Sequence, residues 1–239
     1  MSEIFLNNLT NSSLKEQKGY KPRKAFVLSH LGLGDNIDCI GAVRYLSTCY
    51  DEVLVVCKKK YKKNLELFYN DDVNIKLYPV QGDKDISPKR GCSLKKFKSI
   101  TNGMDLFLSG MHCLNKLSSS ANLPFNFYED MGINKKYCKE YFHINTPNQA
   151  YILQNKLKDI KEFIFIHNTA SNGIIFSIEE MEKKFNFDKQ NILIINPNYN
   201  VYKETDNYYN LAEQFLNHPL AFYSQVIINC NKLIVTDSS

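Results

Sequence analysis

The stretch AFVLSHLGLGDNIDCIGAV, residues 25–43, decides the fold class. It opens with an apolar run that is typical of a buried strand, and residues 30–36 then supply two glycines followed by an acid. Ile37, Ile40 and Val43 recur at helical spacing, with two small residues between the last two of them. The stretch therefore predicts a strand, a glycine-containing loop and a helix, which together open a parallel α/β sheet.

The same alternation of apolar runs and helical patterns continues along the chain. Further strands are predicted at residues 53–57, 73–78 (closed by Pro79), 104–109, 163–167, 191–195 and 232–236. Helices are predicted near residues 61–70, 150–161, 178–186, 207–217 and 219–230. The polar link at 145–149 separates two such series, so we expect two Rossmann-like α/β domains in tandem.

Three segments follow from this pattern. Residues 1–22 are polar and have no sustained period, so we expect a flexible leader. The N-terminal domain then spans 23–148 and the C-terminal domain spans 149–239. The second domain is short for a doubly wound unit and stops directly after a predicted strand, so we expect it to be truncated at its C-terminus.

The composition is that of a globular protein. Over 239 residues, 44% apolar and 23% charged side chains exclude collagen-like, coiled-coil and disordered chains. No stretch approaches the roughly 18 apolar residues of a membrane span, and no secretory signal opens the chain. We therefore expect a cytoplasmic protein without a transmembrane segment, and peripheral membrane association stays open. Seven cysteines without a CxxC pair, and histidines without ligand spacing, predict no disulfide framework and no metal site.

The charge pattern gives little support to nucleic-acid binding. The net charge is only +5, and the densest basic run is residues 58–63, with Tyr61 inside it. Such a run at a strand-to-helix turn is more often a solvated face than a nucleic-acid patch, and it could also attract an anionic substrate. We expect no nucleic-acid partner.

The glycine loop at 30–36 is the strongest local signal for a ligand site. Its glycines let the backbone approach a ligand, and amides at a helix N-terminus favour anions. A dinucleotide fingerprint would need a third glycine where Ile37 stands and an acid after the second strand, where the chain has Lys58. A P-loop would need Gly-Lys-Ser/Thr after the glycines. Both NAD binding and a P-loop are therefore disfavoured.

Asp35 follows the second glycine of this loop. Asp is a preferred helix N-cap, so a capping role is the simpler interpretation. The other interpretation is a general base, because a carboxylate at the carboxyl edge of a parallel sheet can take a proton from a hydroxyl bound there. The residues alone leave both roles open.

Three runs of the sequence resemble one enzyme family. LSHLGLGDNIDCIGAVRYL, residues 28–46, resembles the first strand, loop and helix of the heptosyltransferase-like glycosyltransferases of glycosyltransferase family 9. FIFIHNTASNG, residues 163–173, is similar to the strand and loop that open the donor domain of that family, and LIVTDSS, residues 233–239, is similar to the turn that grips the donor phosphates. The resemblance implies a GT-B fold, with the acceptor on the N-terminal domain and the nucleotide sugar on the C-terminal one. It also implies that Asp35 activates the acceptor hydroxyl.

Two sets of residues are then candidates for substrate contacts. The acceptor-side loop contributes His30, Gly32, Gly34 and Asn36 beside Asp35. The donor side contributes His167, Thr169, Ser171, Asn198, Asp237, Ser238 and Ser239. Amides and hydroxyls at such sheet edges could stabilise a departing diphosphate without a metal, and the turn at 198–200 could touch the base or sugar. Each residue also has a structural interpretation, as a strand-end histidine, a turn residue or a helix cap.

The expected activity is the transfer of a sugar from a nucleotide-diphospho-sugar to an acceptor hydroxyl, as in hexosyl- and heptosyltransferases of glycan biosynthesis. The mechanism would be inverting and metal-independent, with Asp35 as general base and no cofactor beyond the donor substrate. The alternative is a non-catalytic or degenerate GT-B-like binding protein. That alternative is favoured by the missing counterpart of the lysine that the family carries after its first donor-domain loop, and by the expected truncation.

Overall fold

The parallel sheets predicted from the sequence are present in the computed structural model, which describes residues 23–82, 97–109, 125–170 and 173–236. Within these ranges the chain is an α/β protein with two sheets, and the described strands pair in parallel in both. The predicted leader at 1–22 lies outside the described residues.

The first half of the chain builds a four-stranded sheet in the order β3-β2-β1-β4. Its elements are β1 (Lys24–Leu28), α1 (Leu33–Asp38), α2 (Ile40–Cys49), β2 (Glu52–Lys58), the 3₁₀ turn Lys59–Tyr61, α3 (Lys62–Tyr69), β3 (Ile75–Val80), β4 (Asp105–Leu108), α4 (Phe125–Asp130) and α5 (Tyr137–Glu140). Strand β1 is buried on both faces, since Ala25 and Val27 join one apolar cluster while Phe26 and Leu28 join another. Its uninterrupted apolar run is therefore the pattern of a central parallel strand.

Two boundaries in this half differ from the predictions. Pro79 does not close β3 but lies inside it, and an edge strand tolerates a residue without an N–H. The predicted helix after the glycine loop begins earlier, at Leu33, and is broken at Cys39 into α1 and α2.

The hydroxyl of Tyr128 fills the break between these two helices. It donates to the carbonyl of Asp38 over 3.1 Å and accepts from the N–H of Ala42 over 3.0 Å. Gly41 allows this close approach, because a Cβ there would lie 2.7 Å from the Tyr128 hydroxyl and closer still to the carbonyl oxygen of Tyr137. The position and direction of α1, and so of Asp35, depend on this contact.

The second half builds a three-stranded sheet in the order β6-β5-β7. Its elements are α6 (Asn148–Asn155), β5 (Phe163–His167), α7 (Ile178–Phe185), β6 (Leu193–Ile195), α8 (Tyr209–Ala212), the 3₁₀ turns Glu213–Phe215 and Leu220–Tyr223, α9 (Ser224–Asn229) and β7 (Lys232–Val235). The predicted helices at 207–217 and 219–230 are each divided between an α-helix and a 3₁₀ turn. The Tyr223 hydroxyl hydrogen-bonds the carbonyl of Phe215 and accepts from the N–H of His218, which draws the chain into a tight turn between them.

One short segment of the second half reaches into the first. In the 3₁₀ turn Leu220–Tyr223, Ala221 is buried in the core of the first half, whereas Tyr223 is buried in the core of the second. The N–H of Leu220 donates to the side chain of Asn64, in α3, over 2.6 Å. The two halves are therefore joined by packing as well as by the chain. None of the helices in the described ranges has the length and apolar character that a membrane span requires.

The tight approach at Gly41 predicts the effect of adding one methyl group. Gly41→Ala should lower the free energy of unfolding by about 1–3 kcal/mol, because the new Cβ would meet the backbone oxygen of Tyr137. Gly34→Ala is the matched control, since a Cβ at Gly34 would meet no atom of the described residues within 4 Å. Urea unfolding of both variants measures the difference, and equal stabilities would contradict the contact described here.

Candidate functional site

The carboxyl ends of both sheets border one cleft of about 830 Å³. Its walls are formed by Gly32, Leu33, Gly34, Asp35, Tyr61, His167, Thr169, Ala170, Ile175, Asn198, Tyr199 and Thr236. Loops that follow parallel strands collect at one sheet edge, where α/β proteins bind ligands. Among the predicted site residues, the cleft brings Gly32, Gly34 and Asp35 together with His167, Thr169 and Asn198.

Asp35 lines the cleft and also stabilises the start of α1. It is the third residue of that helix and not its N-cap, which is Gly32. One carboxylate oxygen accepts the N–H of Gly32 over 3.1 Å, and the other lies 4.0 Å from Nδ1 of His30. The predicted capping role is therefore present in a modified form, as the reciprocal bond of a capping box. That bond engages one oxygen of the carboxylate and is compatible with a base at the other.

Gly32 is required by this arrangement for a steric reason. Its φ of −64° and ψ of 152° are open to any residue, but a Cβ at this position would collide with the carboxylate of Asp35. The glycine thus allows a side chain of the protein to approach. A Cβ at Gly34, by contrast, would touch nothing in the part of the chain that the structure describes.

His30 and Asn36 support the loop from outside the cleft lining. The His30 ring packs edge-on against Phe127, with ring centroids 5.4 Å apart. Asn36 is buried, and its amide donates to the carbonyl of Gly32 over 2.7 Å. Asn36 therefore belongs to the interior of the loop, and its side chain is not positioned to contact an acceptor substrate in the cleft.

Asp38 is an acid near the site that the sequence interpretation missed. It is half-buried, and burial followed by the charge of Asp35 raises its pKa from 3.8 to about 6. No cation or hydrogen-bond donor in the described ranges pairs with its carboxylate. The signal was available, since acids three residues apart on a helix share a face.

The wall contributed by the second half is built around two buried asparagines that the sequence interpretation also missed. Asn168 follows β5 and Asn196 follows β6, and both are almost fully buried. The Asn196 amide donates to Oδ1 of Asn168 over 2.8 Å, and Oδ1 of Asn196 accepts the N–H of Asn198 over 2.9 Å. Because buried amides need partners, these bonds hold the two loops against each other. The useful signal was a polar residue directly after each buried strand.

Five residues of the cleft lining take part in the hydrogen bonds of this wall. The amide of Asn198 donates to the hydroxyl of Thr169 over 3.3 Å, and the hydroxyl of Tyr199 is bonded to Asn168 over 2.5 Å. The carbonyl of His167 accepts the N–H of Thr236 over 3.0 Å, which extends the pairing of β5 with β7. The wall therefore presents hydroxyl and amide groups on a rigid support.

Comparison with known proteins adds no information about this cleft. No protein-family model, curated protein or solved structure matches this chain. The likeness to the heptosyltransferase-like enzymes thus rests on the three sequence runs alone.

The remaining predicted donor residues, Ser171, Asp237, Ser238 and Ser239, lie outside the described residues. Of the basic run at 58–63, Tyr61 lines the cleft, Lys60 lies 4.7 Å above the Tyr61 ring, and Lys62 pairs with Glu66 over 2.9 Å. Within the described ranges, no group of three or more His, Cys, Asp or Glu side chains is arranged to hold a metal ion.

A second hollow, of about 390 Å³, lies between α7 and β7. Its lining is mostly apolar, and its charged members, Glu180 and Lys184, are of opposite sign. The larger cleft remains the candidate site, because it alone of the two combines strand-end loops of both sheets with converging polar groups.

The raised pKa of Asp38 predicts a pH-dependent stability. The pKa of this carboxyl is about 6 in the folded protein, compared with an ordinary value of 3.8. Ionisation of Asp38 therefore destabilises the fold, and stability is lost as the pH rises from about 4 to about 6. Asp38→Asn should therefore raise the melting temperature near neutral pH and leave it almost unchanged below about pH 4. Asp159→Asn, at an exposed position, is the control. Thermal unfolding monitored by circular dichroism gives the answer, and a gain of the same size at both pH values would count against the burial of Asp38.

Proposed function

We propose that this protein is a glycosyltransferase of the GT-B type, which moves a sugar from a nucleotide-diphospho-sugar to an acceptor hydroxyl with inversion and without a metal. The observation that carries the proposal is that Asp35, from the first half, and a wall of neutral donors, from the second half, line the same cleft. The resemblance of the three sequence runs assigns the acceptor to the first half and the nucleotide to the second. The two parallel sheets are compatible with this assignment.

The chemistry needs one base and one set of donors. Asp35 takes the proton of the acceptor hydroxyl while the oxygen of that hydroxyl forms a bond to the anomeric carbon. The bond from that carbon to the phosphate oxygen breaks, and its electron pair leaves with the nucleoside diphosphate. The charge that develops on the diphosphate is stabilised by fixed N–H and O–H donors, such as those of Asn198 and Thr169.

A ligand screen tests the donor class. Because a ligand that binds only the folded chain raises its melting temperature, we expect stabilisation by one of UDP, GDP, ADP or CDP, or by their sugar conjugates. NAD belongs in the same panel, since the sheet order β3-β2-β1-β4 also suits a dinucleotide-binding half. Stabilisation by NAD alone would replace the proposal with a dinucleotide-binding function.

The variant Asp35→Asn tests the base. Its amide oxygen can still accept the N–H of Gly32, so the start of α1 is kept while the proton acceptor is lost. Transfer from the donor identified in the screen should fall by roughly 10²–10⁴-fold, with nucleotide affinity unchanged. Asp159→Asn, exposed and away from the cleft lining, should behave as wild type.

The outcomes separate enzyme from binding protein. Undiminished turnover in Asp35→Asn would refute the role of Asp35 as base. Nucleotide binding by the wild type without transfer to any hydroxyl acceptor would favour the non-catalytic GT-B-like binding protein.

A further inference from the structure

The hydrogen bonds of Asn168 and Asn196, in the cleft wall that the second half contributes, each have a fixed donor and acceptor. A backbone N–H can only donate, so the atom of Asn196 that meets the N–H of Asn198 is its oxygen, at 2.9 Å. The other end of the same side chain is therefore its amide group, which faces Asn168 over 2.8 Å. The atom of Asn168 that receives it must be an oxygen.

The direction continues from Asn168 to Tyr199. With its oxygen used by Asn196, Asn168 presents its amide group to the carbonyl of Phe176, an obligatory acceptor, and to the hydroxyl oxygen of Tyr199, each over 2.5 Å. Two backbone groups, one at each end, thus fix the orientation of both asparagines. The Tyr199 oxygen accepts, and its own proton has no acceptor in the described part of the chain.

We propose that the Tyr199 hydroxyl donates a hydrogen bond to a phosphate oxygen of a nucleoside diphosphate bound in the cleft, and that Asn168 and Asn196 are the positioning residues that turn its proton towards the ligand. This inference rests on the proposed function, which supplies the nucleoside diphosphate. Tyr199 lines the cleft, and its oxygen is held from behind by a side chain that is fully buried.

A phosphate is the ligand group that best matches this wall. The nearby hydroxyl of Thr169 also accepts, from the amide of Asn198 over 3.3 Å, and no acceptor for its own proton is found among the residues that the structure describes. Phosphate oxygens are acceptors only, whereas a base or a sugar needs acceptors from the protein as well. None of the described residues that line the cleft is Lys or Arg, so neutral donors would carry the recognition.

The first test removes the hydroxyl group of Tyr199 and keeps its aromatic ring. Calorimetric titration compares wild type with Tyr199→Phe, using the nucleoside diphosphate that stabilises the wild type and the corresponding nucleoside without phosphates. The affinity of Tyr199→Phe for the diphosphate should fall roughly ten- to a hundredfold, and its affinity for the nucleoside should be unchanged. Tyr208→Phe is the matched control, because Tyr208 packs in the core of the same half away from the cleft lining.

The second test removes the support of the hydroxyl, leaves Tyr199 in place and adds no charge. In Asn168→Ala the amide that holds the Tyr199 oxygen is lost, so the Tyr199 proton is no longer turned towards the cleft. Asn168→Ala should therefore lose affinity for the diphosphate and keep affinity for the nucleoside, in protein whose circular dichroism spectrum matches that of wild type.

Three results would overturn the inference. Diphosphate affinity that is equal in wild type and Tyr199→Phe would show that the hydroxyl makes no contact. An equal loss for diphosphate and nucleoside would place the contact on the base or ribose. A wild type that binds none of the nucleoside diphosphates would refute the proposed function itself, and this inference with it, whereas the first two results leave that function standing.

Discussion

Parallel pairing is the constraint on which the rest of this structure depends. Because the described strands within each sheet run in one direction, the chain returns to the opposite edge before every new strand. The loops after β1 and β2 and those after β5, β6 and β7 are therefore collected at the carboxyl ends of their sheets. Asp35 and Tyr61 share one edge of the first sheet for this reason, and His167 and Tyr199 share one edge of the second.

The polar groups of the two cleft walls are held in place by different kinds of hydrogen bond. On the first wall a carboxylate is held by a backbone N–H, and the absence of a side chain at Gly32 makes room for it. On the second wall two amide side chains are buried and each of their four nitrogen and oxygen atoms is hydrogen-bonded, since an unpaired buried amide would be costly. Both walls therefore fix cleft groups through hydrogen bonds to other groups of the protein, and this rigidity suits a site that must recognise charge as it develops.

The sequence predicted the architecture better than the details of the site. Apolar runs located β1 and β5 to within a few residues, because a strand buried on both faces must be apolar throughout. The same reasoning missed Asn168 and Asn196, since asparagine after a strand is a common turn residue and only tertiary contacts reveal that its amide is buried. It also missed the break at Cys39, which is stabilised by the hydroxyl of Tyr128, a residue some ninety positions away. Local patterns carry no information about a partner at that distance.

The 3₁₀ turn Leu220–Tyr223 has a mechanical consequence for the cleft. Ala221 is buried in the interior of the first half and Tyr223 in that of the second, so this single turn packs against both halves. The cleft walls cannot separate by sliding past each other without withdrawing Ala221 from its apolar surroundings and breaking the bond from Leu220 to Asn64. Any separation of the two halves at this turn therefore costs both the burial of Ala221 and the hydrogen bond to Asn64, so the width of the cleft depends on a contact that lies outside its lining.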